Sequence, residues 1–139
     1  MDKFLLYLLR VLDPLVNSDY VLLYFHSHMN DHAKPDFSWM KDVYSIFSWK
    51  YSRNLTRFYV VHPTFWLKVV NVGFKAFASA DFFDKVEYLD GLTELFDRLP
   101  RQQLTVVPEV FEYDRIENGV IWTQNNAVSA ASGENASDL

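Results

Sequence analysis

The chain has 139 residues, half of them apolar and 17 % aromatic, with a formal net charge of −5 and no cysteine. That length and apolar content suit a single domain with a sizeable core. The negative balance argues against a nucleic-acid or anionic-membrane binder driven by bulk charge. Without thiols there is no disulfide framework, thiolate catalysis or cysteine-ligated zinc, a composition compatible with the cytosol.

Taken in order, "MDKFLLYLLRVLDPL" opens the chain. Arg10 and Asp13 interrupt its apolar run, no small-residue cleavage site follows, and it is too short to span a bilayer. Phe4, Leu5, Leu8, Leu9 and Leu12 recur at helical spacing, which predicts an amphipathic helix over 3–16, closed by Pro14 and "NSD". "DYVLLYFHS", 19–27, is a short and nearly continuous apolar run, as in a strand covered on both faces. A polar loop with three histidines follows, and Pro35 and Asp36 suit a helix start. Over 37–51, Met40, Val43, Tyr44, Phe47 and Tyr51 share one helical face.

"TRFYVVHP", 56–63, reads as a second buried strand stopped by Pro63, which also suits the opening of the next helix. That helix, 64–78, is apolar apart from a narrow stripe of Lys68, Asn71 and Lys75, so it is expected to be buried on most sides. "DKVEYLD", 84–90, alternates like a third strand, and 91–99 reads as a short helix ending at Pro100. The residues from 123 onwards, "TQNNAVSAASGENASDL", are small and polar, and with the few before them make 118–139 a disordered tail by composition. Strand, helix, strand, helix, strand predicts crossover helices and a mostly parallel α/β sheet.

The histidine loop raises a chemical question. "HSHMNDH" approaches the His-x-His-x-Asp-His ligand pattern of metallo-lactamase-type zinc hydrolases, with one extra residue before Asp31. A His26/His28/His32 site would still need a further ligand from distant sequence. His62 is the sole other histidine, and the ends of parallel neighbouring strands put it on the same side as His26. The glycine-rich and Asp/His elements expected downstream of such a hydrolase are missing, so the metal-dependent hydrolase is the remote alternative. His62 then reads as a hydrogen-bonded residue closing the strand–helix turn. Ser27 lacks a glycine elbow, no glycine-rich phosphate loop occurs, and Glu109, Glu112 and Asp114 suggest solvated surface. No catalytic set, metal or cofactor is assigned.

From "KPDFSWMKDVYSIFSWKYSRNLTRFYVVHPTFWLKVV" the chain resembles the CRAL-TRIO lipid-binding fold, and more narrowly its divergent branch, the BCH domain. That branch occurs in some Rho GTPase-activating proteins and related scaffold proteins. The matching pieces are "SDYVLLYFH", "KP" with "SW", "KYSRNL" and "YVVHPTFWLK", continued by "KAFASADFFDKVEYLDGLTELFDRLP" and "VPEVFEYD". The resemblance covers roughly residues 4–114. It implies an α/β fold with a mostly parallel sheet, crossover helices and a hydrophobic pocket, over a domain at 1–117. The strand that the family places upstream of its first helix is missing, and Lys75-Ala76-Phe77 stands where "KPF" is common.

By position, the resemblance places Phe65, Trp66, Val69, Val70, Phe74 and Phe77 at the pocket, with Phe82 and Phe83 just beyond. Lys50, Arg53 and Arg57 are candidates to meet a phosphoinositide head group or an acidic partner, against the plainer reading of a solvated helix end. The implied function is a non-catalytic lipid- or prenyl-binding module tied to small GTPase signalling or membrane trafficking. The alternative is a scaffold that binds Rho-class GTPases, their regulators or another copy of itself. The expected location is cytoplasmic, with at most peripheral membrane contact and no nucleic-acid partner.

Overall fold

A computed structural model describes residues 3–28, 36–77, 79–123 and 128–130. The chain divides into two compact units, Met1–Leu89 and Asp90–Leu139, where the sequence suggested one domain over 1–117.

In the first unit, helix α1 (Lys3–Leu12) precedes strand β1 (Tyr20–Phe25), and helix α2 (Phe37–Ile46) runs into a π-helical turn, Phe47–Tyr51. Strand β2 (Leu55–Val61), helix α3 (Phe65–Phe74), the short helix α4 (Ala80–Asp84) and strand β3 (Val86–Leu89) complete it. The sheet order is β1-β2-β3 and both ladders are parallel, as the alternation of elements predicted. Leu23 lies opposite Tyr59, Phe25 opposite Val61, and Val61 opposite Leu89.

Position in the sheet explains how the strands bury. β2 is central, and Leu55, Tyr59, Val60 and Val61 are all buried. A strand with neighbours on both sides and helices on its faces needs such a continuous apolar run. Among the described residues β1 pairs only with β2, and it leaves Val21 and Tyr24 exposed, so its expected cover on both faces is partial.

Each crossover helix starts on a side-chain cap. The Asp36 carboxylate accepts from the Ser38 N–H (3.1 Å), Thr64 Oγ1 from the Leu67 N–H (3.3 Å), and Ser79 Oγ from the Phe82 N–H (3.3 Å). These satisfy amide donors that a helix start leaves orphaned. The π-helical turn carries Phe47 and Tyr51 into a core cluster with Leu12, Leu55 and Phe82. There the Asp13 carboxylate accepts from Lys50 Nζ (2.7 Å) and the Tyr51 hydroxyl (2.8 Å), tying the end of α1 to that turn. Lys50 pulls the Asp13 carboxyl below its usual range, with Tyr51 assisting.

Helix α3 departs from the reading of a helix buried nearly all round. Leu67, Asn71 and Phe74 are buried, spaced i, i+4, i+7, while Phe65, Val69 and Val72 are exposed. The face turned inward includes Asn71, which the sequence pattern had assigned to a solvent stripe.

In the second unit, helix α5 (Leu92–Arg98) and a 3-10 turn (Arg101–Gln103) precede helix α6 (Pro108–Asn118). Pro108 occupies the first turn of α6, where a missing N–H costs nothing. Gly119 closes it at φ 69°, and its N–H reaches the Arg115 carbonyl at 3.0 Å. A side chain disfavours that left-handed conformation. The stretch 118–139, expected as a disordered tail, holds an antiparallel ladder between β4 (Val120–Trp122) and β5 (Val128–Ala130). Trp122 anchors β4: it packs edge-on to Phe96 at 5.1 Å and donates from its indole to Asp114.

Candidate ligand cavity

The carboxyl ends of β1 and β2 carry a chain of polar contacts. The Tyr24 hydroxyl meets His26 Nδ1 at 3.0 Å, and His26 Nε2 faces Thr64 Oγ1 at 3.4 Å. Ser27 Oγ meets His62 Nδ1 at 2.7 Å. His62 holds φ 56°, a left-handed conformation just before Pro63, and its N–H donates to the Leu89 carbonyl at 2.9 Å. These two bonds fix the turn that launches α3, the role the sequence suggested for His62. Burial lowers the His26 pKa, so its ring is neutral at neutral pH.

Beside this end of the sheet, within the first unit, lies a cavity of about 780 Å³. That falls within the roughly 300–1,000 Å³ range of small-molecule sites. Its wall is built from Phe4 and Leu8 of α1, Leu22, Leu23 and Tyr24 of β1, and Trp39, Met40, Val43 and Tyr44 of α2. Phe47, Phe58, Val60, Trp66, Leu67 and Phe82 close it. His26, Asp36 and Asn71 are the wall residues outside this aromatic and aliphatic set. Burial pushes the Tyr24 and Tyr44 hydroxyls above their usual pKa, which marks the low polarity of the surroundings.

Of the residues the sequence placed at the pocket, Trp66 and Phe82 line this cavity. Phe74 is fully buried behind it, stacked on Phe37 and Tyr44 at 4.8 Å each. Val70 and Phe83 pack against the cluster of Met40, Val60, Leu67 and Phe74. Phe65, Val69 and Phe77 are exposed, Phe65 at 83 %. The larger part of the wall, from α1, β1 and α2, went unassigned. The signal for α2 was present: Trp39/Met40, Val43/Tyr44 and Phe47 recur every three to four residues behind the Asp36 cap.

Lys50, Arg53 and Arg57 do not join the wall. Lys50 pairs with Asp13, and Arg57 Nη1 donates to the Asp84 carbonyl at 3.1 Å. They lie before or at the start of β2, whereas the His26–Thr64 contacts lie past its far end. His32 falls outside the described residues. Among the described residues, no three His, Cys, Asp or Glu side chains gather in a group able to hold a metal ion.

A parallel sheet with crossover helices is the architecture that the resemblance implied, and comparison with known proteins agrees. The family model of the divergent CRAL/TRIO domain matches residues 1–115, and the chain belongs to that family. The Rho GTPase-activating protein gacY of Dictyostelium discoideum is 47 % identical over 106 residues, covering 76 % of this chain and 15 % of that protein. The GDAP2 homolog of Drosophila melanogaster is 39 % identical over 120 residues, 86 % of this chain and 22 % of its own length. Ganglioside-induced differentiation-associated protein 2 of Mus musculus is 40 % identical over 119 residues, with 86 % and 24 % covered. The chain therefore spans less than a quarter of the length of each of these relatives. No solved structure gives a significant match.

Proposed function

We propose that this domain is a non-catalytic module that holds one lipid or prenyl-like molecule in the cavity between its sheet and helices α1, α2 and α3. The observation that carries the reading is a 780 Å³ space whose wall is almost wholly aromatic and aliphatic. An apolar wall of that extent is removed from water when an apolar occupant covers it. A buried chain contributes about 0.8 kcal/mol per methylene removed from water. The domain would act in the cytoplasm or at the membrane periphery, where a carrier meets both its ligand and its partner.

Native mass spectrometry of the purified chain after exposure to a total lipid extract tests the reading. The expected result is one lipid mass per chain, lost in Leu67→Trp and Val43→Trp, which fill the cavity from two different helices. A chain that stays unliganded under all lipids tried overturns it.

A second reading rests on a different surface. Phe65, Val69 and Val72 form an exposed apolar row on α3, and one relative is named a Rho GTPase-activating protein. Such a row suits contact with a Rho-class GTPase, its regulator or another copy of the domain. Phe65→Asp with Val72→Asp should then abolish GTPase capture or self-association while lipid occupancy persists. Loss of neither sinks this reading.

A further inference from the structure

Helix α1 turns an apolar face outward as well as inward. Leu5 and Leu12 are buried and Leu8 and Leu9 half-buried, so one side of the helix packs on the first unit. On the other side Phe4, Leu6, Tyr7 and Val11 are exposed, Tyr7 at 66 %. At 3.6 residues per turn these four, with Lys3 and Arg10, follow one another around an arc of about 160° opposite Leu5 and Leu12. Every exposed side chain of α1 is thus apolar or cationic. A surface helix ordinarily turns a polar face outward, and one that is apolar nearly all round is covered on both sides. Single exposed apolar residues are normal, but a contiguous set marks a contact surface.

Trp49 extends this face. It is 86 % exposed on the π-helical turn and shares a shallow surface hollow with Leu9 and Asp13, at the end of α1. The two elements are tied together, because the Asp13 carboxylate accepts from Lys50 and Tyr51, the residues that follow Trp49. The Asp13 charge is offset by Lys50 at 2.7 Å.

The two cations of α1 decide what covers it. Lys3 and Arg10 lie two helical turns apart within the apolar arc, between Leu6 and Tyr7 around the helix, so the covering surface must take both charges. A protein groove would need two carboxylates placed to match them and desolvated with them. A bilayer offers anionic head groups that move to the cations, while the long Lys and Arg stems reach head-group level above apolar side chains that sink deeper. Tyr7 and Trp49 are residue types that settle at such a boundary, with an apolar body and a polar atom each. The net charge of the chain is −5, so attraction to an anionic surface has to be local, as it is on α1.

We propose that α1 is a membrane-docking helix. Its outward face, flanked by Trp49, lies in the interface of an anionic bilayer, with Lys3 and Arg10 at the head groups. Phe4 and Leu8 also line the cavity, so the docked helix is part of the cavity wall as well. The proposal goes beyond the cavity reading and does not depend on the cavity being filled.

Sedimentation of the purified chain with vesicles tests it. Binding should be strong to phosphatidylcholine–phosphatidylserine vesicles, weak to phosphatidylcholine alone, and lower as salt rises. Lys3→Gln with Arg10→Gln should weaken binding to the mixed vesicles about 30-fold, the effect expected of two cations near an anionic surface. Tyr7→Glu with Val11→Glu should abolish it. All four positions are exposed, so both double variants should keep the parent circular dichroism spectrum. No binding to the mixed vesicles overturns the proposal, as does equal binding to both vesicle types. Binding that survives both α1 variants but is lost in Phe65→Asp with Val72→Asp moves the contact to α3 and also overturns it. So does a chain that ignores vesicles but forms a dimer lost in Tyr7→Glu with Val11→Glu, which would make the face a protein interface.

Discussion

In the second unit, Asp114 is wholly enclosed, yet its carboxylate accepts from the Leu92 N–H (3.0 Å), Asn118 Nδ2 (2.7 Å) and the Trp122 indole (2.7 Å). In the first unit, Asn71 Oδ1, Trp39 Nε1 and the Tyr88 hydroxyl are buried with no hydrogen-bond partner among the described residues. Even the buried Arg101 Nη1, which has no acceptor among the described residues, belongs to a guanidinium held 5.1–5.7 Å from the ring centroids of Phe96, Phe111 and Trp122. The second unit spends its buried polarity on its own construction. The first unit leaves some of its buried polarity unpaired among the described residues.

That contrast breaks most visibly at Asp114. Asp114→Ala orphans three donors and should destabilise the chain by about 3 kcal/mol or more, seen as a lower urea midpoint in circular dichroism. Gly91→Ala reaches the same network from outside. A Cβ there would lie 2.7 Å from Asp114 Oδ1 and 2.6 Å from Asn118 Nδ2, so both side chains must move. The expected cost is about 1–3 kcal/mol in the same titration, and a neutral outcome would mean that the network tolerates rearrangement.

Asn71→Leu should carry the opposite sign. In lipid-free protein it replaces a buried amide whose oxygen has no partner among the described residues with an apolar group of similar volume, and should be neutral or stabilising by up to about 1 kcal/mol. A clear loss of stability would show that Asn71 is structural, as Asp114 is. Tyr88 supplies the pH-dependent counterpart. Burial raises its pKa from the ordinary 10.0 to about 12. The unfolded chain thus loses this proton first, and stability present below pH 10 should drain away as pH climbs through about 12. Tyr88→Phe should flatten part of that alkaline loss, measured as thermal midpoints across the pH series, while leaving the neutral-pH midpoint nearly unchanged.

Much of this architecture was legible beforehand. The runs "VLLYF" and "RFYVV" marked parallel strands because strands covered by helices need near-continuous apolar side chains. The Asp36 cap stood at the predicted start of α2, and Pro63 sat between β2 and α3. Helix α6 left no strong periodic signal, since one of its inward residues, Asp114, is a carboxylate that its hydrogen-bond donors make at home inside. The cavity was half legible. Trp66 and Phe82 were expected on it, but Phe65, Val69 and Phe77 were expected there too and stand in solvent.

The sequence by itself determined the strand–helix–strand–helix–strand order of the first unit, the parallel pairing and the family, because hydrophobic period and turn residues act over a few neighbouring positions. Which side of α3 turns inward was a tertiary decision: an almost uniformly apolar helix carries too little contrast to choose its own face. Packing against the helix-covered sheet chose the face with Leu67, Asn71 and Phe74, and so turned an apparent surface asparagine into a buried polar group beside a cavity. The partnering of Asp114 was decided in the same way, by residues up to 22 positions away that only folding brings within reach.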